Sequence, residues 1–224
     1  MLNSDDCYMP GAFQYIFTET PYYQYDFLHG NCFAGKQIAS AEEFRHPPEQ
    51  KATLFKLLLF FYDLSHIIPS QSVFIRKDIV GRVGLLNEDL HYCMDLDYYC
   101  RIALTTTKRF FYNKTICFYR VNEFTKTGGD LDKGIIEAIS IAKTYQNNIS
   151  PKERKELHKF FAIFEGLQKV WSNKEKANLP YLFKVFTKAP NIAVKDKLFV
   201  HLAKKALVTP IKQSLNLLTA WIKQ

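Results

Sequence analysis

Two pairs of carboxylates stand where acids can do chemistry. Asp5 and Asp6 follow Asn3 and Ser4 and lead to a Pro10-Gly11 bend, while Asp95 and Asp97 open a segment whose period turns helical at Met94. Such carboxylates can hold a hard divalent cation or accept a proton from an attacking hydroxyl. They can equally close an Asx turn or sit in a first helical turn, where unpaired N–H groups and the macrodipole favour acids. A cap is worth roughly 0.5–2 kcal/mol, so a structural role for either pair needs no chemistry behind it.

The elements that must position these residues are legible in the hydrophobic period. Val73-Phe74-Ile75-Arg76 alternates like a strand, a helix-like turn stops at Gly84, Leu85 to Cys93 is a loop, and a helix starts near Met94. Ahead of them, Ala12 to Thr18 reads as a helix, Tyr22 to Phe33 as a strand with a His29-Gly30-Asn31 turn, and Lys36 to Gln50 as a surface loop. Ala52 to Tyr62 reads as an apolar packing helix and Phe110 to Arg120 as a final hairpin strand. From Leu131 the period is helical. A capping box with proline at the first helical position restarts it at Ser150-Pro151-Lys152-Glu153, and helices are expected over Pro151–Trp171, Leu179–Phe186, Val194–Leu207 and Pro210–Lys223.

The Pro-Ser-Gln strand with its Phe-x-Arg, the Val-Gly-x-Leu-x-Glu-x-Leu loop, and Met94-Asp95-Leu96-Asp97-Tyr98 ahead of Arg101-Ile102-Ala103 together resemble the C-terminal half of family-2 glycosyltransferases of GT-A type. The resemblance covers about Leu2 to Lys126. It implies an α/β fold, an incomplete GT-A-like (Rossmann-like) mixed-sheet half-domain over 1–130, followed by an α-helical extension over 131–224. By the same resemblance the chain begins after the units that bind the nucleotide base. The implied activity is inverting transfer of a sugar from a nucleotide-sugar donor to a saccharide or lipid-linked acceptor. Asp95 would be its general base and Asp97 would hold the loop, with Met94 where many members carry Glu.

The metal turn falls on Asp5 and Asp6, binding Mn2+ or Mg2+ to neutralise the diphosphate leaving group, with Asn3 in the place of the motif's first acid. Gln71 and Ser72 would line the donor pocket, His91 and Tyr92 would meet the acceptor, and Lys126 would approach a phosphate. His29 and Asn31 replace a tyrosine and an acid of the family pattern, and Asn122 replaces a histidine that completes the metal shell. His29 is read as a ligand or base, or alternatively as a hydrogen-bonded turn residue, and Arg76 and Arg101 are read as partners of structural acids rather than phosphate ligands.

Composition bounds the rest. The chain has 224 residues, 47% hydrophobic and 23% charged, enough for a sizeable core. Its net charge of +8 is uneven: residues 151–224 carry 15 Lys+Arg against 5 Asp+Glu (+10), leaving residues 1–150 with 15 against 17 (−2). Five cysteines without a Cys-x-x-Cys pair read as reduced, buried thiols, and the absence of a secretory pattern at the start or a long apolar run leads to a cytoplasmic expectation. The basic helices read first as a bundle with a solvated face and second as a peripheral contact with the inner membrane face. Nucleic acid is not expected, since no recognition signature accompanies the charge. Two rival readings stay open: a metal-dependent phosphoryl or nucleotidyl transferase, and a non-catalytic helical interaction module on a degenerate enzyme remnant.

Overall fold

The computed structural model describes residues 6–44, 53–62, 68–121, 131–171, 179–195, 199–204 and 206. Asn3, Asp5, Asn122 and Lys126, together with the helix expected over Pro210–Lys223, lie outside the described residues.

The chain forms two compact units, 1–150 and 151–224. The first is an α/β arrangement around strand β2 (Phe27–Gly35), with β1 (Cys7–Tyr8), β3 (Glu42–Phe44), β4 (Val73–Ile75) and β5 (Arg109–Arg120) completing a mixed sheet. β5 runs parallel to β2 on one side, and β1 lies antiparallel at the outer edge of β5. On the other side β4 pairs with the first half of β2 and β3 with the second, both antiparallel. β2 is therefore flanked along its whole length. Phe27 to Cys32 are all buried, as expected for a strand covered on both faces.

That burial corrects the expected turn at His29-Gly30-Asn31, through which β2 runs straight. Gly30 is there because a Cβ would sit 2.8 Å from Ile116 Cδ1 and 3.0 Å from the Lys114 carbonyl, a close approach that only glycine permits. The irregularity lies across the ladder instead: the pairing jumps from Gly30↔Tyr112 to Asn31↔Thr115 and then Cys32↔Cys117, so β5 bulges opposite these residues. The expected hairpin is also corrected, since β5 is reached by a crossover and pairs parallel to β2.

Helix α1 begins as an α-turn (Ala12–Gln14) after Gly11 at φ 78° and widens into a π-helix (Tyr15–Glu19). At eight residues it is shorter than the ~12–15 an isolated helix needs. Packing holds it: Ala12 and Ile16 bury against Leu28, Tyr112 and Ile116 of the sheet. On the opposite face, Tyr99 of α4 (Met94–Thr105) meets Phe27 edge-on at 5.4 Å. Between them come α2 (Leu54–Leu58), capped by the Thr53 hydroxyl on the Lys56 N–H, and α3 (Lys77–Val83), stopped at Gly84 with φ 80°.

Helix α5 (Leu131–Tyr145) packs on α2 and α4. It falls in the first compact unit, which runs to Ser150.

The second unit is helical: α6 (Pro151–Trp171), α7 (Leu179–Lys188) and α8 (Pro190–Ala193). α6 starts at the proline the capping box indicated. A Cβ at Gly166 would meet Val185 at 2.6 Å and the Tyr181 hydroxyl donates to the Gly166 carbonyl at 3.0 Å, so α6 and α7 are in close contact. All five cysteines are free thiols, four of them buried. No helix among the described residues is long and apolar enough to cross a membrane.

Candidate active site

Asp95 is the second residue of α4, just past the Cys93 cap. Its Oδ1 accepts the Leu96 N–H at 2.8 Å. Burial holds its carboxyl proton more tightly than in an ordinary aspartate, and the N–H groups of Leu96 and Asp95 only partly offset this. Two neighbours register the same charge. The Cys93 thiol is pushed up to about 12 by burial and by the Asp95 and Glu137 carboxylates, and the Tyr99 hydroxyl is raised by burial and Asp95. That hydroxyl is buried and has no hydrogen-bond partner among the described residues. Leaving a buried polar atom unpaired costs about 1–3 kcal/mol, and this one lies within electrostatic reach of the candidate base.

Asp97 has a different occupation. It is 7% exposed, accepts from Arg101 Nε at 2.9 Å on one oxygen and from the Tyr145 hydroxyl at 2.7 Å on the other. Arg101 continues to the Val83 carbonyl at 2.7 Å, so Asp97 joins the ends of α3 and α5 to α4. Arg101 Nη2 is buried without a partner among the described residues. The first turn of α4 thus holds one acid locked by side-chain donors and one whose pKa is raised by burial.

Glu137 of α5 closes the corner. Its carboxylate accepts three consecutive backbone N–H groups, from His91 at 2.9 Å, Tyr92 at 2.7 Å and Cys93 at 2.9 Å. Burial works against its charge, but the three donors together keep its pKa below the usual value. The Cys93 thiol donates to the Gly134 carbonyl at 3.1 Å. His91 and Tyr92, expected at the acceptor, thus present their backbones to α5 while their rings meet edge-on at 5.0 Å. Glu137 and Tyr145 were invisible in the sequence: they act 44 to 48 residues from their partners, and no spacing rule reaches that far.

The other acidic corner is represented by Asp6, which is buried. Gln71 Nε2 donates to its Oδ2 at 2.7 Å and the Arg120 N–H to its Oδ1 at 2.9 Å. Two residues singled out from the sequence, Asp6 and Gln71, are therefore brought together across 65 positions. Ser72 is fully buried and donates to the Pro69 carbonyl. Each oxygen of Asp6 keeps a second lone pair, so it suits a hard cation that takes one or two carboxylates and fills its shell with water and phosphate oxygens. Among the described residues no three His, Cys, Asp or Glu gather as a metal cluster.

Two other expectations are resolved by packing. His29 is 1% exposed, between Phe27 and Phe111 at 5.8 and 5.1 Å, so it is a core residue and neither a turn nor a solvent-facing base. Arg76 pairs with Asp78 at 2.7 Å and with the buried Asp26 at 3.2 Å, and Arg101 pairs with Asp97, as structural cations.

Asp26 is a hub the sequence did not reveal: Thr106 donates to it at 2.6 Å and Arg82 lies 3.8 Å away. It floors a cleft of about 380 Å3 lined also by Arg76, Arg82, Leu104, Thr106 and Lys108. This cleft is at the C-terminal end of α4, ten residues along the helix from Asp95 and so roughly 15 Å away. It is not the candidate site.

Comparison of the chain with protein-family models, with curated proteins and with solved structures found no match.

Proposed function

We propose that the chain is an inverting, GT-A-like glycosyltransferase that moves a sugar from a nucleotide-sugar donor to a saccharide or lipid-linked acceptor, with Asp95 as its general base. The observation that carries this reading is the Asp95 carboxyl, held at the head of α4 with its pKa raised by burial, in electrostatic contact with a Tyr99 hydroxyl that has no partner among the described residues. A general base works best when its pKa approaches the working pH, and burial moves an aspartate in that direction. Asp97, locked by Arg101 and Tyr145, fixes the helix that presents it. Asp6 and Gln71 supply the oxygen-rich corner where a magnesium or manganese ion, when bound, would neutralise the departing diphosphate.

The test is turnover. The chain is incubated with a panel of nucleotide sugars and Mn2+ or Mg2+, and release of nucleoside diphosphate is followed with and without chelator. Metal-dependent release from one donor supports the reading; no release from any donor overturns it.

One observation favours the non-catalytic alternative. The N–H triad of His91, Tyr92 and Cys93, beside Asp95, is already filled by the chain's own Glu137. A nucleotide that binds without being turned over would support that reading instead.

A further inference from the structure

We infer that the outward face of α7 docks on an anionic lipid surface, with Phe183 entering the bilayer interface between lysines. The helix has two faces of opposite character. Leu182, Val185 and Ala189 are buried in the second unit, and Gly166 of α6 leaves no room for a Cβ against Val185. That face is fixed. The other presents Phe183 at 66% exposure with Lys184, Thr187 and Lys188 also exposed, and just past α8 Val194 and Lys195 are exposed as well.

A single exposed ring is common on protein surfaces, so what marks Phe183 is its setting between lysines. Here the ring is stacked on Phe186 at 6.3 Å and Phe186 on Phe199 at 6.3 Å, so it stands on a rigid base and is presented outward.

The charge around it indicates what covers it. α7 contains no acid, and Lys184 and Lys188 are four residues apart on the exposed side. Like charges at that spacing repel, and these two have no ion pair among the described residues. Residues 151–224 carry +10 in all, against −2 for residues 1–150, so the attraction to an anionic surface is confined to this unit. Apolar rings flanked by lysines on a helix that lies flat are the composition of interfacial membrane contacts. A nucleic acid would use the lysines but leave Phe183 in water, and the lipid interface uses both. This inference is independent of the glycosyltransferase reading, because no donor, metal or Asp95 enters it.

The experiment is co-sedimentation of the full chain with vesicles of phosphatidylcholine alone and with phosphatidylglycerol added, at low and at raised salt. Binding to the anionic vesicles, weakened by salt, is expected. K184Q/K188Q should lower it by about fivefold per lysine removed, and F183S should lower it at low salt without changing the melting temperature, since the ring is exposed. Should F183S unfold the chain, F183W replaces it, and its emission should shift to shorter wavelength with anionic vesicles but not with neutral ones. Equal binding to both vesicle types, unchanged partition in both K184Q/K188Q and F183S, or no shift for F183W overturns the inference. So does duplex DNA that strips the chain from vesicles and binds F183S as tightly as the parent.

Discussion

Asp95 and Asp97 sit two residues apart on one helical turn and are held in opposite ways. Asp97 accepts two side-chain donors, whereas Asp95 accepts backbone N–H groups and has its pKa raised by burial. This has a consequence for stability. A carboxyl whose folded pKa exceeds its unfolded one favours the fold at low pH, and that contribution is lost as pH rises through the folded value. D95N should therefore melt at a higher temperature than the parent at pH 7, with the difference shrinking as pH falls through the folded value and gone below the ordinary aspartate value of 3.8.

Glu137 has the opposite sign. Its folded pKa lies below the ordinary 4.5, so its contribution is full above that value and is lost as pH falls through the folded one. E137Q should destabilise the chain at neutral pH and flatten the acid limb of a thermal-melt profile below about pH 4.5. Removing the Tyr145 hydroxyl tests the third contact. Y145F leaves one Asp97 oxygen without its donor and should cost about 1–3 kcal/mol in a urea titration. At this scale the sequence showed which residues carry acids but not which acid is locked, because one of the two donors to Asp97, the Tyr145 hydroxyl, comes from α5, 48 residues away.

Elements were legible where the period was clean and misread where a glycine had two meanings. α4 and α6 start at Met94 and Pro151 as their patterns indicate, and Gly84 stops α3. His29-Gly30-Asn31 has the composition of a turn, yet it runs through the most buried strand of the sheet. Its glycine answers to Ile116, a residue 86 positions on, and not to its own neighbours. G30A should accordingly cost about 1–3 kcal/mol by forcing Ile116 and the β5 bulge apart, readable as a lower urea midpoint. The parallel pairing of β5 with β2 was hidden for a related reason: a sequence shows strands, and the direction of a partner separated by helices is set by the crossover. The candidate site inherits this pattern. Gln71 and Asp6 were each visible as polar residues in suggestive places, and only the sheet brings them to 2.7 Å.

On the scale of the whole molecule, charge and packing divide the chain at the same place. Unit 1 carries −2 and holds the acidic corners, while the unit from Pro151 carries +10. Helix α5 belongs to the first unit because Glu137 and Tyr145 anchor the head of α4. A piece ending at Ser150 should unfold in a single cooperative transition, whereas one ending at residue 130 loses both anchors and should unfold at markedly lower denaturant. The central claim is that Asp95 accepts a proton in a transfer reaction, and a stable, inactive variant tests it best. Turnover of the nucleotide sugar identified for the parent should be measured at pH 7 on D95N whose melting temperature has been recorded in the same preparation. The account predicts a loss of 10²- to 10⁴-fold in turnover at an unchanged or higher melting temperature. Turnover equal to the parent's would contradict it.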